Sequence, residues 1–435
     1  MLTYVAILFA ATLIGAAFVQ WGIAVSFAKY FTQLQDAQTD ASNASQPIPG
    51  AAILMSVRGM DPSLLDAVNG ALNQLHENFE VHIVVDHTDD AAWERLNELK
   101  KNSPHGERLQ LQLMREPRTT CGLKCHCLVQ AAESLGDHIQ HVALLDADVV
   151  PHPQWLSALT RPLSDSTVGG VTGAQWFEPT DSASHPSWWR STWNGGAMIP
   201  TIYFANPWAG SFAMRKEDLI QSGLLDAWKK SIVDDGPIRE HLGHLGLKIV
   251  FAPSLIMVNR EACGHRYVYR WTTRMLTWSR LHETTFYLSQ IHAAFSNVVF
   301  GGNVLVIVVA LFLALRSLGL NSEANYLLPL QISLLALVTA GVLCTSAYRC
   351  ARSCVEHSCQ LRGESLPRAS WIALWQVFWA SAPAHWLYGI SCWRATWKTQ
   401  VMWRGIRYRI HSKSEIERLN YAPFIQRSRD QSRSI

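Results

Sequence analysis

Hydrophobic patterning divides the chain into three regimes. Residues 2–28 are almost wholly apolar, and about 20 such residues suffice to cross a bilayer as a helix. No basic residue precedes the stretch, and it exceeds the apolar core of a signal peptide. It therefore predicts an anchor over 1–30 rather than a cleaved leader, with Lys29 marking the cytoplasmic end. Residues 31–49, rich in Gln, Asp, Ser and Pro, read as a linker. Short apolar runs then follow at 51–57, 80–86, 109–114 and 141–146, with a weaker fifth at 168–175. Helical periodicity near 64–75, 91–99 and 125–135 separates several of them. Alternating strand and helix predicts an α/β domain over 50–270 built on a mostly parallel, doubly wound sheet.

The third regime is membrane-like. Trp271, Met275 and Trp278 fall on one helical face, which predicts an amphipathic interfacial helix over 271–292. A membrane region over 293–392 follows, with apolar spans at 293–315 and 326–347. The loop over 348–368 carries four Arg against two Glu, so the positive-inside rule puts it, and the α/β domain, on the cytoplasmic side. The segment 370–391 is Trp-rich, with Pro383 and His385 at its centre. A simple crossing there would strand the basic tail, 393–435, outside. A re-entrant or interfacial helix pair is the expectation instead.

Composition sharpens this picture. Charged residues are 16% of the chain, against about 25% in soluble domains, and many of the 18 Trp lie in the last third, as rings at a membrane interface do. The net charge of +3 hides a local bias: from Arg394 onward there are ten Lys/Arg against three Asp/Glu. With no nucleic-acid recognition module beside it, that charge suits anionic lipid headgroups and not nucleic acid. The nine cysteines lack paired CxxC spacing and read as structural thiols in a reducing compartment.

The chemistry concentrates at the ends of the apolar runs. Ala143-Leu-Leu-Asp-Ala-Asp-Val-Val-Pro-His-Pro is a buried-type strand ending in Asp146-x-Asp148. Two carboxylates there form a hard oxygen site suited to Mg²⁺ or Mn²⁺, with nucleotide phosphates completing the octahedron. Asp86 ends an earlier strand, where a carboxylate can hold a nucleobase or ribose, or simply cap the strand. Lys124, in Gly122-Leu-Lys124 at a helix start, can meet phosphate or base, or remain a solvated lysine. The small residues Gly210 and Ser211 allow close approach to an acceptor or sugar, or belong to an ordinary core strand. Asp234 and Asp235 precede a helix that closes at Gly246. One of them can act as a general base toward an acceptor hydroxyl, the alternative being helix capping. Arg270 can grip a diphosphate and Trp271 can offer an aromatic floor, unless both belong to a membrane-surface belt.

The order Asp86, Asp146-x-Asp148, Asp235, Arg270-Trp271 resembles inverting family-2-type glycosyltransferases with a GT-A fold. It is most similar to the ceramide glucosyltransferase group and its bacterial lipid-glycosylating relatives. The strings Val57-Arg-Gly-Met-Asp-Pro62, Val85-Asp-His-Thr-Asp-Asp-Ala91, Gly210-Ser-Phe-Ala-Met-Arg215 and Trp403-Arg-Gly-Ile-Arg-Tyr-Arg409 carry the likeness. The resemblance implies Asp86 as the nucleotide-binding acid, Asp146 and Asp148 as the metal and diphosphate acids, Asp235 as catalytic base with Asp234 where relatives often have Glu, and Arg270 and Trp271 on the donor. The reading of the residues adds Lys124 on the donor and Gly210, Ser211 and Asp234 toward the acceptor. Tyr267 stands where the (Gln/Arg)-x-x-Arg-Trp motif opens, with Arg266 one residue early. That departure argues against a processive polymer synthase, whose relatives keep Gln.

The expected activity is transfer of a hexose from a nucleotide sugar, UDP-glucose first, to a membrane lipid such as ceramide at the cytoplasmic leaflet. The rivals are a processive polysaccharide synthase and an inactive membrane scaffold of the same fold.

Overall fold

The computed structural model describes residues 1–41, 49–180, 182–204, 206–318 and 326–425. Part of the expected linker, the loop between the two apolar spans and the last ten residues of the tail lie outside the described residues.

Seven strands form one sheet: β1 (Ala51–Val57), β2 (Phe79–Val85), β3 (Leu109–Leu113), β4 (His141–Leu145), β5 (Val168–Phe177), β6 (Ser211–Arg215) and β7 (Lys248–Asn259), in the order β3-β2-β1-β4-β6-β5-β7. The first four pair in parallel and β5 pairs in parallel with β7, while β6 runs antiparallel to both of its neighbours. Side chains alternate across the pleat. Ile53, Met55 and Val57 of β1 therefore join one apolar cluster, with Leu64, Ala67 and Trp155, and Ala52 and Leu54 join the other, with Leu128 and Trp228. Helices cover both faces, and the ligand edge lies beyond the carboxyl ends of the parallel strands.

Three helices among the described residues are long and apolar enough to cross a membrane: Leu2–Gln35, Phe286–Ser317 and Leu327–Leu361. The first continues as helix to Ala41, so the polar residues just after 30 extend the anchor and do not start a linker. The amphipathic helix spans His265–His282, and a new helix begins at Phe286. The break comes at the helix cap around Glu283, several residues earlier than the sequence suggests.

The Trp-rich segment forms one helix, Trp371–Thr396, in place of the expected pair, with Pro383 inside it. Ala373 and Val377 near its start pack with Ala351 and Val355. Near its middle, Phe378 lies against Gly341 and His385 stacks on Phe300 at 4.8 Å. Cys392 and Ala395 at its end return to Phe286 and Ala293.

The basic tail is folded. β8 (Gln400–Trp403), β9 (Ile406–Ser412) and β10 (Glu415–Arg418) make an antiparallel sheet. Val401, Ile406, Tyr408, Ile410 and Ile416 pack on Leu123, Ile232, Val233 and Trp278 of the α/β domain. The basic tail expected over 393–435 is thus a docked sheet over 400–418, because its alternating apolar residues demand a partner surface. Arg404 and Gly405 form the β8–β9 turn with φ of 45° and 79°. Positive φ at both central positions defines a type I′ turn, which normally selects Asn or Gly. Arg404 is the only non-glycine residue with positive φ among the described residues.

Candidate active site

β1 and β2 are in register at Val57 and Val85, and β4 lies on the other side of β1. Their next residues, Arg58, Asp86 and Asp146, therefore emerge at one edge. Asp86 is 3% exposed and fully engaged. Its Oδ2 pairs with the Arg58 guanidinium and accepts the Phe424 backbone N–H at 3.0 Å. Its Oδ1 accepts the Tyr421 hydroxyl at 3.3 Å. Arg404 donates to Asp61 Oδ2 and to the Arg58 carbonyl, each at 2.7 Å. The tail thus closes over the acids at the strand ends.

Lys124, at the start of the helix Leu123–Glu133, bridges the two acidic motifs. Its Nζ lies 2.5 Å from Asp146 Oδ1 and 2.7 Å from Asp234 Oδ2. Burial alone would lower its pKa, but Asp146 and Asp234 outweigh that and hold it well above the ordinary lysine value. The Leu123 N–H of the same turn donates to the Tyr408 hydroxyl, so the tail also caps this helix. A Cβ at position 210 would lie 2.3 Å from the Trp208 ring and 2.7 Å from Asp146 Oδ2, so glycine suits the close approach of both.

Asp234 and Asp235 diverge. Asp234 is 2% exposed and committed to Lys124, so it does not face an acceptor as the sequence suggested. Asp235 is half-buried and forms no ion pair among the described residues. Burial, and then the neighbouring Asp234 charge, push its carboxyl up to about 7. A carboxyl near neutrality that is free of a fixed cation suits proton transfer.

Ser211 is fully buried, and its hydroxyl accepts the Trp155 indole N–H at 2.8 Å. It belongs to the core and not to an acceptor surface. Trp271 is 8% exposed and meets Phe177 and Trp193 edge-to-face at 5.2 and 5.6 Å. It packs the junction between sheet and interfacial helix, so it is no open aromatic floor. Arg270 lines a cavity of about 90 Å³ with Arg274, Lys398, Val401 and Met402.

Asp146 and Asp148 have the hard oxygen chemistry that Mg²⁺ or Mn²⁺ needs. Asp148 has no ion-pair partner among the described residues. Burial and the charges of Asp146 and Asp61 push it up to about 7, as for a carboxyl that lacks its counter-ion. No group of three His, Cys, Asp or Glu is arranged to hold a metal among the described residues. The pair therefore suits a cation whose remaining ligands are water and substrate phosphate, as is usual for Mg²⁺.

Sequence reasoning missed Arg58, Asp61, Arg274, Arg404 and Tyr421. The period-2 pattern of Val401, Trp403, Ile406, Tyr408 and Ile410 around Arg404-Gly405 is a hairpin signal that could have pointed to the tail. Arg274 lies one helical turn beyond Arg270, outside the motif but on its face. All nine cysteines are free, in keeping with structural thiols.

No curated protein matches the chain. Among solved structures, a mannosyltransferase from Pyrobaculum calidifontis, determined with GDP-mannose and Mn²⁺, is 16% identical with a TM-score of 0.48, over 91% of this chain and 99% of that one. Glucosyl-3-phosphoglycerate synthase from Mycobacterium tuberculosis, determined with Mn²⁺, UDP-glucose and glycerol 3-phosphate, is 14% identical with a TM-score of 0.35, over 58% of this chain and 86% of that one. The α/β domain has the GT-A fold. Residues 18–416 match the family description "Glycosyl transferase family 21", and the chain belongs to that family of glycosyltransferases.

Proposed function

We propose that the chain is a metal-dependent, inverting hexosyltransferase that moves a sugar, glucose in the first instance, from UDP to the hydroxyl of a membrane lipid such as ceramide, on the cytoplasmic side. One observation carries the reading. Lys124 ties the strand-end acid Asp146 to Asp234, which leaves the adjacent Asp235 without a cation and raised to about 7. The arrangement supports a base at Asp235 beside acids suited to a nucleotide diphosphate.

In this reading Asp235 takes the proton from the acceptor hydroxyl. The acceptor oxygen bonds to the anomeric carbon as the bond to the diphosphate oxygen breaks. One displacement inverts that carbon and needs no covalent enzyme intermediate. Asp146 and Asp148 would hold Mg²⁺ or Mn²⁺, which supplies charge neutralisation at the departing diphosphate. Lys124 keeps Asp146 oriented, and Arg270 meets the diphosphate from the interfacial helix. Asp86 and Arg58 border the nucleoside end. The acceptor lipid reaches the site from the bilayer beside the interfacial helix, with Trp371–Thr396 as a re-entrant element whose two ends both face the catalytic domain.

The test is direct. The purified chain is incubated with Mn²⁺, UDP-glucose and ceramide in mixed micelles, and the lipid product is identified by mass spectrometry. A lipid bearing one hexose with inverted anomeric configuration is expected. A polymer would support the processive alternative, and failure to release the nucleoside diphosphate from any nucleotide sugar would reject the transferase.

A further inference from the structure

Arg270 and Arg274 lie one turn apart on the helix His265–His282 and face the cavity they share with Lys398, Val401 and Met402. Three cations and no acid line it. At about 90 Å³ the space exceeds the ~10–15 Å³ that a single water needs.

Arg274 is the unusual member. Its Nε and Nη1 are shielded from solvent and have no hydrogen-bond partner among the described residues. Its one aromatic contact is the Trp403 ring of the tail, 5.5 Å from the guanidinium carbon. A buried donor without a partner costs about 1–3 kcal/mol, and more when charged. Three like charges around one cavity add repulsion. Burial pushes Arg274 down to about 10 and Arg404 adds to that, while Tyr267 first, and then Asp148 and Asp146, act in the opposite sense, so the site acids lie within its electrostatic reach. Lys398 is lowered by burial and then by Arg394, Arg274 and Arg270. Such a cluster favours an anion, and guanidinium geometry favours phosphate oxygens.

We infer that Arg274 and Lys398 form, with Arg270, a phosphate-binding cradle for the diphosphate of the sugar donor. The inference rests on the transferase reading and extends it to two residues outside the motif, one of them supplied by the chain segment after the last long helix. The site acids favour this occupant, because the charges of Asp146 and Asp148 already act on Arg274, and a diphosphate between them and the cavity would answer both. A phospholipid headgroup offers the same chemistry and is the alternative source.

The experiment is calorimetric titration of the full-length protein in neutral detergent with Mn²⁺, using UDP, UMP and uridine, and GDP in parallel. Arg274→Met and Lys398→Gln should each weaken UDP binding roughly 10- to 100-fold, the loss of one charged hydrogen-bonding group. Uridine binding should stay within about twofold, which also shows that the variants are folded, and Arg274→Lys should recover part of the loss. Equal losses for UDP and uridine would overturn the cradle in favour of a structural role. Unchanged UDP binding, with loss only of binding to phosphatidylglycerol vesicles, would overturn it in favour of a headgroup site. A parent protein that binds neither UDP nor GDP would overturn the transferase reading itself. A parent that binds UDP while Arg274→Met binds it equally well would overturn only this inference.

Discussion

Replacing Arg404 by Asn tests how the tail is held to the catalytic domain. Arg404 occupies a left-handed backbone conformation, which costs a non-glycine residue on the order of 1–3 kcal/mol and which Asn tolerates better. The substitution therefore relaxes the turn by about 1 kcal/mol. It also removes the ion pair to Asp61 and the hydrogen bond to the Arg58 carbonyl, both at 2.7 Å. Asp61 is only 6% exposed, so its charge is left without compensation. Removing one partner of a buried pair costs roughly 3–5 kcal/mol. The Arg404 side chain is 24% exposed, which puts this pair at the low end. The net is about 2 kcal/mol against docking, or roughly a thirty-fold shift in the opening equilibrium of the tail sheet. Hydrogen exchange of the 400–418 amides, read against those of β1 and β4, measures it. Protection should fall in the tail and persist in the central strands. Asp61→Asn should behave alike, and the double variant should be less destabilised than the sum of the two. Unchanged tail protection in Arg404→Asn would refute the reasoning, as would additive effects.

Further outcomes follow from the site and from the topology. Asp148→Ala should abolish transfer and EDTA should do the same to the parent, whereas full turnover in EDTA would remove the metal from the mechanism. Asp235→Asn should retain donor binding while turnover falls by roughly 10² to 10⁴. Parent activity should decline as pH falls through about 7, the value to which Asp235 is pushed, because the base must be unprotonated. Its raised pKa means that the folded state prefers the protonated acid, so stability is lost as pH rises from the ordinary carboxylate range through about 7. Asp235→Asn should therefore melt higher than the parent at pH 8, and a lower melting temperature would contradict this. For topology, Ser45→Cys and Ser432→Cys, with native thiols masked, should both react from the catalytic-domain face of sealed vesicles. Reaction from opposite faces would exclude a Trp371–Thr396 helix that dips and returns.

The parallel half of the sheet was legible because β1, β2 and β4 are mostly apolar runs closed by a polar residue at the ligand edge, and β3 alternates Leu and Gln. β7 was not legible, because Pro253 interrupts its pattern; it is an edge strand, where Pro is tolerated. The structure accommodates it where the β5–β7 register shifts, between Thr172 and Ala174. Acids announced themselves through position, Asp86, Asp146 and Asp148 at strand ends and Asp235 ahead of a helix. Of their cationic partners only Lys124 did. Arg58 and Arg404 look like ordinary surface charges until the fold brings them to Asp86 and Asp61 from 28 and 343 residues away. The tail misled for a related reason: its charge suggested lipid headgroups, while its alternating apolar residues, which decide where it docks, were outweighed. Ser211 and Trp271 show the reverse error, in which a motif position proved to be filled by packing.

The late position of the tail sheet also bears on biosynthesis. Asp61 and Asp86 emerge from the ribosome early, yet Arg404, Tyr421 and Phe424 follow only after the last long helix. At roughly 5–20 residues per second, the 343 residues between Asp61 and Arg404 take on the order of 20–70 seconds to make. Throughout that interval the strand-end carboxylates face water or a chaperone without their tail partners. The site therefore matures only when the helices between have found their places, and a chain stalled midway in the translocon carries an unfinished pocket.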